Sequence, residues 1–191
     1  MQPIEIFPQN IFQKSNLELD KNYLNKLHSS IELMRRGDVN GTMISNVEFG
    51  WQSKALPQTG PFENLTQKII KEAYSFCKNL KNFNFSKIEF ISLWANINYP
   101  NDINWPHTHD GDIAGVYYVD VYENCGDLIL DSYSYNLHNK LAFYLASLHK
   151  KIITPHNDLL VLFDSNCWHS VTKNKSNKTR ISMSFNLKIY D

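Results

Sequence analysis

"SKIEFISLWANINY", residues 86–99, is where the chain changes its period. Ahead of it, apolar residues recur at helical spacing. From it onward they come in short β-branched and aromatic runs, and Trp94, Asn96 and Asn98 alternate onto one face of a strand. The runs "AGVYYVDVY" (114–122), "GDLILD" (126–131), "DLLVLFDS" (158–165) and "TRISMSFNLKIY" (179–190) repeat the pattern, separated by polar turn-like residues. Many short strands after helices imply a mostly β protein with α: an antiparallel sandwich or barrel with helices packed on one side.

Working back from residue 86, Leu19, Tyr23, Leu27 and Ile31 predict a helix over about 17–34, with Asp20 or Asn16 as possible caps. "GDVNG" (37–41) breaks it, and "GWQSKALPQTG" (50–60) reads as loop. Pro61 leads into a second helix over about 61–80, with Leu65, Ile69, Ala73 and Phe76 on one face. The stretch 132–151, "SYSYNLHNKLAFYLASLHKK", reads either as a short helix through Leu137, Leu141, Leu145 and Leu148 or as a flap beside a site. The expected organisation is a single domain, 1–191, with a helical support region (1–85) and a β core (86–191).

Composition narrows the function. Lys+Arg and Asp+Glu both count 19, so no nucleic-acid or anionic-membrane footprint shows in the bulk charge. Three cysteines, an odd number without metal-motif spacing, suit a reducing compartment. No leader-like start and no membrane-spanning apolar run is visible, so a cytoplasmic protein is expected.

The chemistry-bearing residues gather around "WPHTHDGDIAGVYYVD", residues 105–120. On extended chain, His107 and His109 point to the same side, and Pro106 stiffens the approach. An isolated His-x-His is more often a surface or structural pair than a metal site. Here, however, His169 follows another strand in "FDSNCWHSV", and a rolled sheet can bring it opposite the pair. Three imidazoles on one face leave the opposite positions of an iron ion open. Arg180, 11 positions after His169, starts the last strand, with Ser182 on the same face. A guanidinium fork beside a hydroxyl suits one carboxylate, so a dicarboxylic co-substrate would chelate the metal at one end and reach Arg180 at the other.

With "IFPQNIF", "GWQS", "WANIN", "HTHDGDIAGVYYVD", "GDLILD", "LLVLFDSNCWHSV" and "RISMSFN" in this order, the sequence resembles the 2-oxoglutarate- and iron(II)-dependent oxygenases, and within them a group of small oxygenases of bacteria and phages. The resemblance implies a double-stranded β-helix, or jelly roll, supported by N-terminal helices. It implies Fe(II) and 2-oxoglutarate as cofactors, and a hydroxylase-type oxidation coupled to formation of succinate. His107 would be the first metal ligand and His169 the distal one. Arg180, Ser182 and Tyr118 would hold the far carboxylate, and Asn96 would hydrogen-bond the co-substrate or serve the strand ladder.

The superfamily's usual middle ligand is a carboxylate, whereas this chain has His109 at that position. Either His109 ligates, or Asp110 or Asp112 swings in on Gly111, or a water or other anion takes the place. Side-chain direction favours His109, which points with His107 while Asp110 points away. A cupin-type metal enzyme would carry a glutamate a few residues on, and Glu123 is too distant. A non-catalytic jelly-roll binding module would have no reason to align these groups. The substrate, a small molecule or peptide, is not specified. Its rim is expected from the 50–60 loop, residues 99–106 and the 131–150 stretch, with Trp51, Trp105, Tyr133 and Tyr135.

Overall fold

The structure is a computed structural model that describes residues 11–14, 16–42, 47–48, 50–80, 82–131 and 150–191. Eleven strands form two antiparallel sheets: β1 Ile11–Lys14, β2 Val47–Glu48, β3 Trp51–Gln52, β4 Lys87–Asn98, β5 Ile103–His107, β6 Ile113–Asp120, β7 Leu128–Asp131, β8 Lys151–Ile153, β9 Leu160–Asp164, β10 Trp168–Val171 and β11 Arg180–Tyr190. The major sheet runs β1-β9-β6-β11-β4-β3 and the minor sheet β2-β5-β10-β7-β8. From β4 onward successive strands switch between the sheets, except that β7 and β8 pair side by side in the minor sheet, which is the winding of a double-stranded β-helix.

Alternation along the major strands explains why they read as nearly continuous apolar runs: both faces are covered. On β11, Ile181, Met183, Phe185 and Leu187 join the core beneath the helices. Arg180, Ser182, Ser184 and Asn186, at the intervening positions, face between the sheets. On β6 the same division sends Tyr117 and Val119 to the helical layer and Val116 and Tyr118 to the interior.

Two helices cover the outer face. α1 spans Lys21–Gly37 and is capped by Asp20, whose Oδ1 accepts from the Tyr23 amide at 2.9 Å. Its start lies four residues later than the sequence pattern suggests. Glu18 holds a left-handed backbone (φ 56°) and its amide donates to Asp158 Oδ2, so the chain turns there before the cap. α2 spans Glu63–Lys78 after a 3-10 turn at Gly60–Phe62. Leu27, Ile31, Leu65, Ile69 and Ala73 are fully buried against the sheet, each of the larger side chains contributing about 1.5–3 kcal/mol.

Several features correct the sequence reading. "GWQS", expected as loop, contributes edge strand β3, and β1, β2, β5 and β10 were not anticipated as separate strands. Trp51, expected at a rim, is buried, and its indole Nε1 donates to the Asp38 carbonyl at 2.7 Å. The stretch 132–149, with Tyr133 and Tyr135, lies outside the described residues. The three cysteines are free and buried, and burial pushes the thiols of Cys77 and Cys167 up to about 11. Among the described residues no helix is long and apolar enough to cross a membrane.

Candidate metal and co-substrate site

Between the sheets lies a cavity of about 350 Å³, within the size range of small-molecule sites. Its minor-sheet wall carries the histidines. β5 and β10 pair antiparallel, with His107 directly opposite His169. The ladder then slips, so that Val171 faces Asn104. Trp105 and Pro106 occupy the slip, where a residue without an N–H costs no ladder bond. The turn from β9 into β10 is closed by Asp164, whose carboxylate accepts from the Asn166 amide and whose carbonyl accepts from that of Cys167. That turn delivers His169 into the interior, where it is 5% exposed.

His109 follows the end of β5. Its amide donates to the Ser165 carbonyl at 3.0 Å, while the Ser165 hydroxyl donates to the Gly111 carbonyl at 2.6 Å. One candidate ligand atom from each of the three histidines falls within 4.8 Å of the others. His109 Nε2 and His169 Nε2 are 3.2 Å apart. His107 Nδ1 donates to the Trp105 carbonyl at 2.7 Å and His169 Nδ1 to the Cys167 carbonyl at 2.9 Å, which leaves Nε2 of each as the lone-pair atom. Burial, with mutual repulsion among the rings, holds His109 down at about 4 and His169 at about 3, and burial lowers His107 as well. At neutral pH all three are uncharged and able to ligate.

The acidic alternatives are placed elsewhere. Asp112 turns its carboxylate toward β11, where Oδ1 accepts from Lys188 Nζ at 3.1 Å and Oδ2 from the Ile189 amide at 2.8 Å. Asp110 is exposed and does not belong to the cluster. Glu123 is likewise exposed and lies in the turn after β6.

The major-sheet wall supplies the second half of the site. Gln52, Asn96, Ser182 and Tyr118 are cross-strand neighbours in one polar row that faces the cavity. In the next row Arg180 is 3% exposed. Within the described residues its hydrogen bonds go to neutral acceptors: the carbonyls of Cys125 (3.1 Å) and Gly126 (3.4 Å), and Asn98 Oδ1 (2.8 Å). Its Nε is buried without a partner. Burial lowers its pKa from the usual value, yet a guanidinium stays protonated at any working pH. Tyr118 is pushed up to about 12, chiefly by burial, so its phenol remains a donor. Asn96 donates through Nδ2 to Ser184 Oγ at 2.9 Å, which leaves the Ser184 hydroxyl hydrogen available to the cavity.

The sequence-predicted residues His107, His109, His169, Arg180, Ser182, Tyr118 and Asn96 thus all line one cavity. Sequence reasoning missed Asn98 as the partner that orients Arg180, and Gln52, Thr108, Phe163 and Ser184 as lining residues. Asn98 was legible in principle, because it shares the strand face of Trp94 and Asn96. Gln52 was not, since its position depends on a strand two residues long.

The donor set fits the expected groups. Three neutral imidazole nitrogens suit iron(II). A buried guanidinium with an orphaned N–H, beside a phenol and a hydroxyl, suits a carboxylate. Gly111 holds the loop that carries His109. At φ +95° a Cβ there would sit 2.7 Å from the Leu187 carbonyl oxygen. Gly111→Ala is therefore expected to cost roughly 1–3 kcal/mol of stability and to weaken metal binding, measured by denaturant unfolding and by metal titration.

Residues 92–186, which contain every sequence-predicted site residue, match the family model described as "Putative 2OG-Fe(II) oxygenase". Among solved structures, a prolyl-4-hydroxylase of Pseudomonas putida is similar over 93% of this chain and 92% of its own, with a TM-score of 0.67 at 12% identity. The viral collagen prolyl hydroxylase of Paramecium bursaria Chlorella virus-1 is similar over 95% and 96%, with a TM-score of 0.62 at 13% identity. HygX of Streptomyces hygroscopicus, solved with nickel and 2-oxoglutarate bound, is similar over 94% and 83%, with a TM-score of 0.65 at 8% identity. No curated protein matches the sequence. The fold is the double-stranded β-helix of an oxygenase. The family match, confined to residues 92–186, and these neighbours together support a 2-oxoglutarate- and iron(II)-dependent oxygenase.

Proposed function

We propose that the protein is a hydroxylase-type dioxygenase whose iron(II) is held by His107, His109 and His169 and whose 2-oxoglutarate is held at its far carboxylate by Arg180, Tyr118 and Ser182. The observation that carries this reading is Arg180: a buried cation with an unpartnered N–H, opening on the cavity where three imidazoles converge. A buried charge of this kind calls for an anion. When bound, the metal and co-substrate supply oxidation of a substrate coupled to decarboxylation of 2-oxoglutarate to succinate.

The chain's own residues bind and orient. The carbonyls of Trp105 and Cys167 fix the tautomers of His107 and His169. Asn98, Cys125 and Gly126 hold the guanidinium in place. Phe163, edge-on to His169 with ring centroids 4.8 Å apart, keeps water from that side of the site. Trp94 stands edge-on to His109 at 5.5 Å. The substrate is a small molecule or a peptide segment, and the prolyl hydroxylases among the structural relatives make a peptide side chain one such class.

The reading is tested by anaerobic titration with Fe(II) and then 2-oxoglutarate, followed by measurement of succinate on exposure to oxygen. Metal-dependent binding of 2-oxoglutarate with slow succinate release is expected. Binding of neither would exclude the function. Tyr118→Phe removes one charge-assisted donor and is expected to weaken 2-oxoglutarate binding roughly tenfold, with Fe(II) binding unchanged in the same titration.

A further inference from the structure

His107 and His169 each donate Nδ1–H to a backbone carbonyl, whereas His109 has no protein acceptor for Nδ1 among the described residues. Its Nε2 faces His169 Nε2, so Nδ1 lies on the side of the ring turned away from the cluster. An unanchored imidazole can rotate or change tautomer, and either event removes a ligand lone pair.

The neighbouring wall holds a matching orphan. Asn186 is 7% exposed, and its Oδ1 is buried with no hydrogen-bond partner. It lies on the inter-sheet face of β11, two positions beyond Ser184. Ser184 is the cross-strand partner of Trp94, and the Trp94 ring meets the His109 ring. On its other side, the ladder between β11 and β4 slips: Asn186 faces Ser92 and Leu187 faces Phe90, which leaves Ile91 as the extra residue. The loop that follows His109 seats on this bulge. The Asp112 amide donates to the Leu187 carbonyl at 2.9 Å, and a Cβ on Gly111 would meet that carbonyl oxygen at 2.7 Å and the Ile91 side chain at 2.8 Å. Asn186 is thus bracketed by contacts made from both sides of His109. Bulges beside sites commonly re-aim a side chain.

We propose that Asn186 is the positioning residue of His109, its carboxamide oxygen accepting the Nδ1 proton so that Nε2 presents its lone pair to the metal. The role rests on His109 being a ligand, as proposed above. It also accounts for a buried unpartnered acceptor that would otherwise weaken the fold.

The test uses the full chain, Co(II) as probe, and the variants Asn186→Leu and Asn186→Asp. Three quantities are read: Co(II) affinity, the visible Co(II) spectrum, and the thermal midpoint of the metal-free protein. Asn186→Leu is expected to bind Co(II) about 10–100-fold more weakly with a changed spectrum. Its metal-free midpoint should change little, because the lost hydrogen bond to His109 is a neutral one of about 1 kcal/mol and the buried carboxamide is removed with it. Asn186→Asp keeps an acceptor and should restore affinity to within about threefold. Asn186→Leu binding as tightly as the parent would overturn the proposal. Equal weakness in both variants would overturn it too, because an acceptor would then not be what matters. Failure of the unsubstituted protein to bind Co(II) would remove the metal site itself, and the positioning role with it.

Discussion

Arg180→Ala is expected to weaken 2-oxoglutarate binding by about 100-fold or more while leaving Fe(II) binding within about threefold of the parent. The size follows from removing one member of a buried charge pair, typically 2–5 kcal/mol, in a pocket that has no other cation among its described lining residues. The selectivity follows from geometry. Arg180 contacts Cys125, Gly126 and Asn98 but none of the histidines. Arg180→Lys keeps the charge and forfeits the fork, so its affinity should fall between the two. Calorimetric titration of the Fe(II)-loaded protein measures both constants. Equal losses of metal and co-substrate would show that Arg180 supports the fold rather than the carboxylate.

His169→Ala should abolish stoichiometric Fe(II) binding, with affinity down more than about 100-fold, and with it any metal-dependent binding of 2-oxoglutarate. His169 is the cross-strand partner of His107, and its Nε2 lies 3.2 Å from that of His109. Its removal leaves two imidazoles on one segment, a chelate without its third arm. The metal content of protein reconstituted anaerobically and desalted measures the effect. Undiminished iron would take His169 out of the ligand set. Asp112→Asn provides the contrast. Its carboxylate is held by Lys188 and the Ile189 amide, so the substitution should leave metal content unchanged.

Much of this was legible in the chain. The switch of period at residue 86 separates helical cover from β core because a helix repeats every 3.6 residues and a strand every two. His107 and His109 share a side for the same reason, as do Arg180 and Ser182. The positions of Asp110 and Asp112 required coordinates, because Gly111 at φ +95° reverses the chain between them. Edge strand β3 was equally hidden. Two residues carry no period, and their strand character comes from pairing Trp51 with Ile97 and Gln52 with Asn96.

By itself, then, the sequence determined the fold class and which side chains could serve as ligands, since local alternation and side-chain chemistry are properties of neighbours along the chain. Tertiary structure alone decided that His107 and His169 stand opposite each other, that Asp112 is drawn off to Lys188, and that Arg180 is left with an unpartnered N–H. Each of these depends on register between segments more than 50 residues apart. Register is set by how both faces of a sheet fill their cores, a sum over many distant contacts that no local window contains.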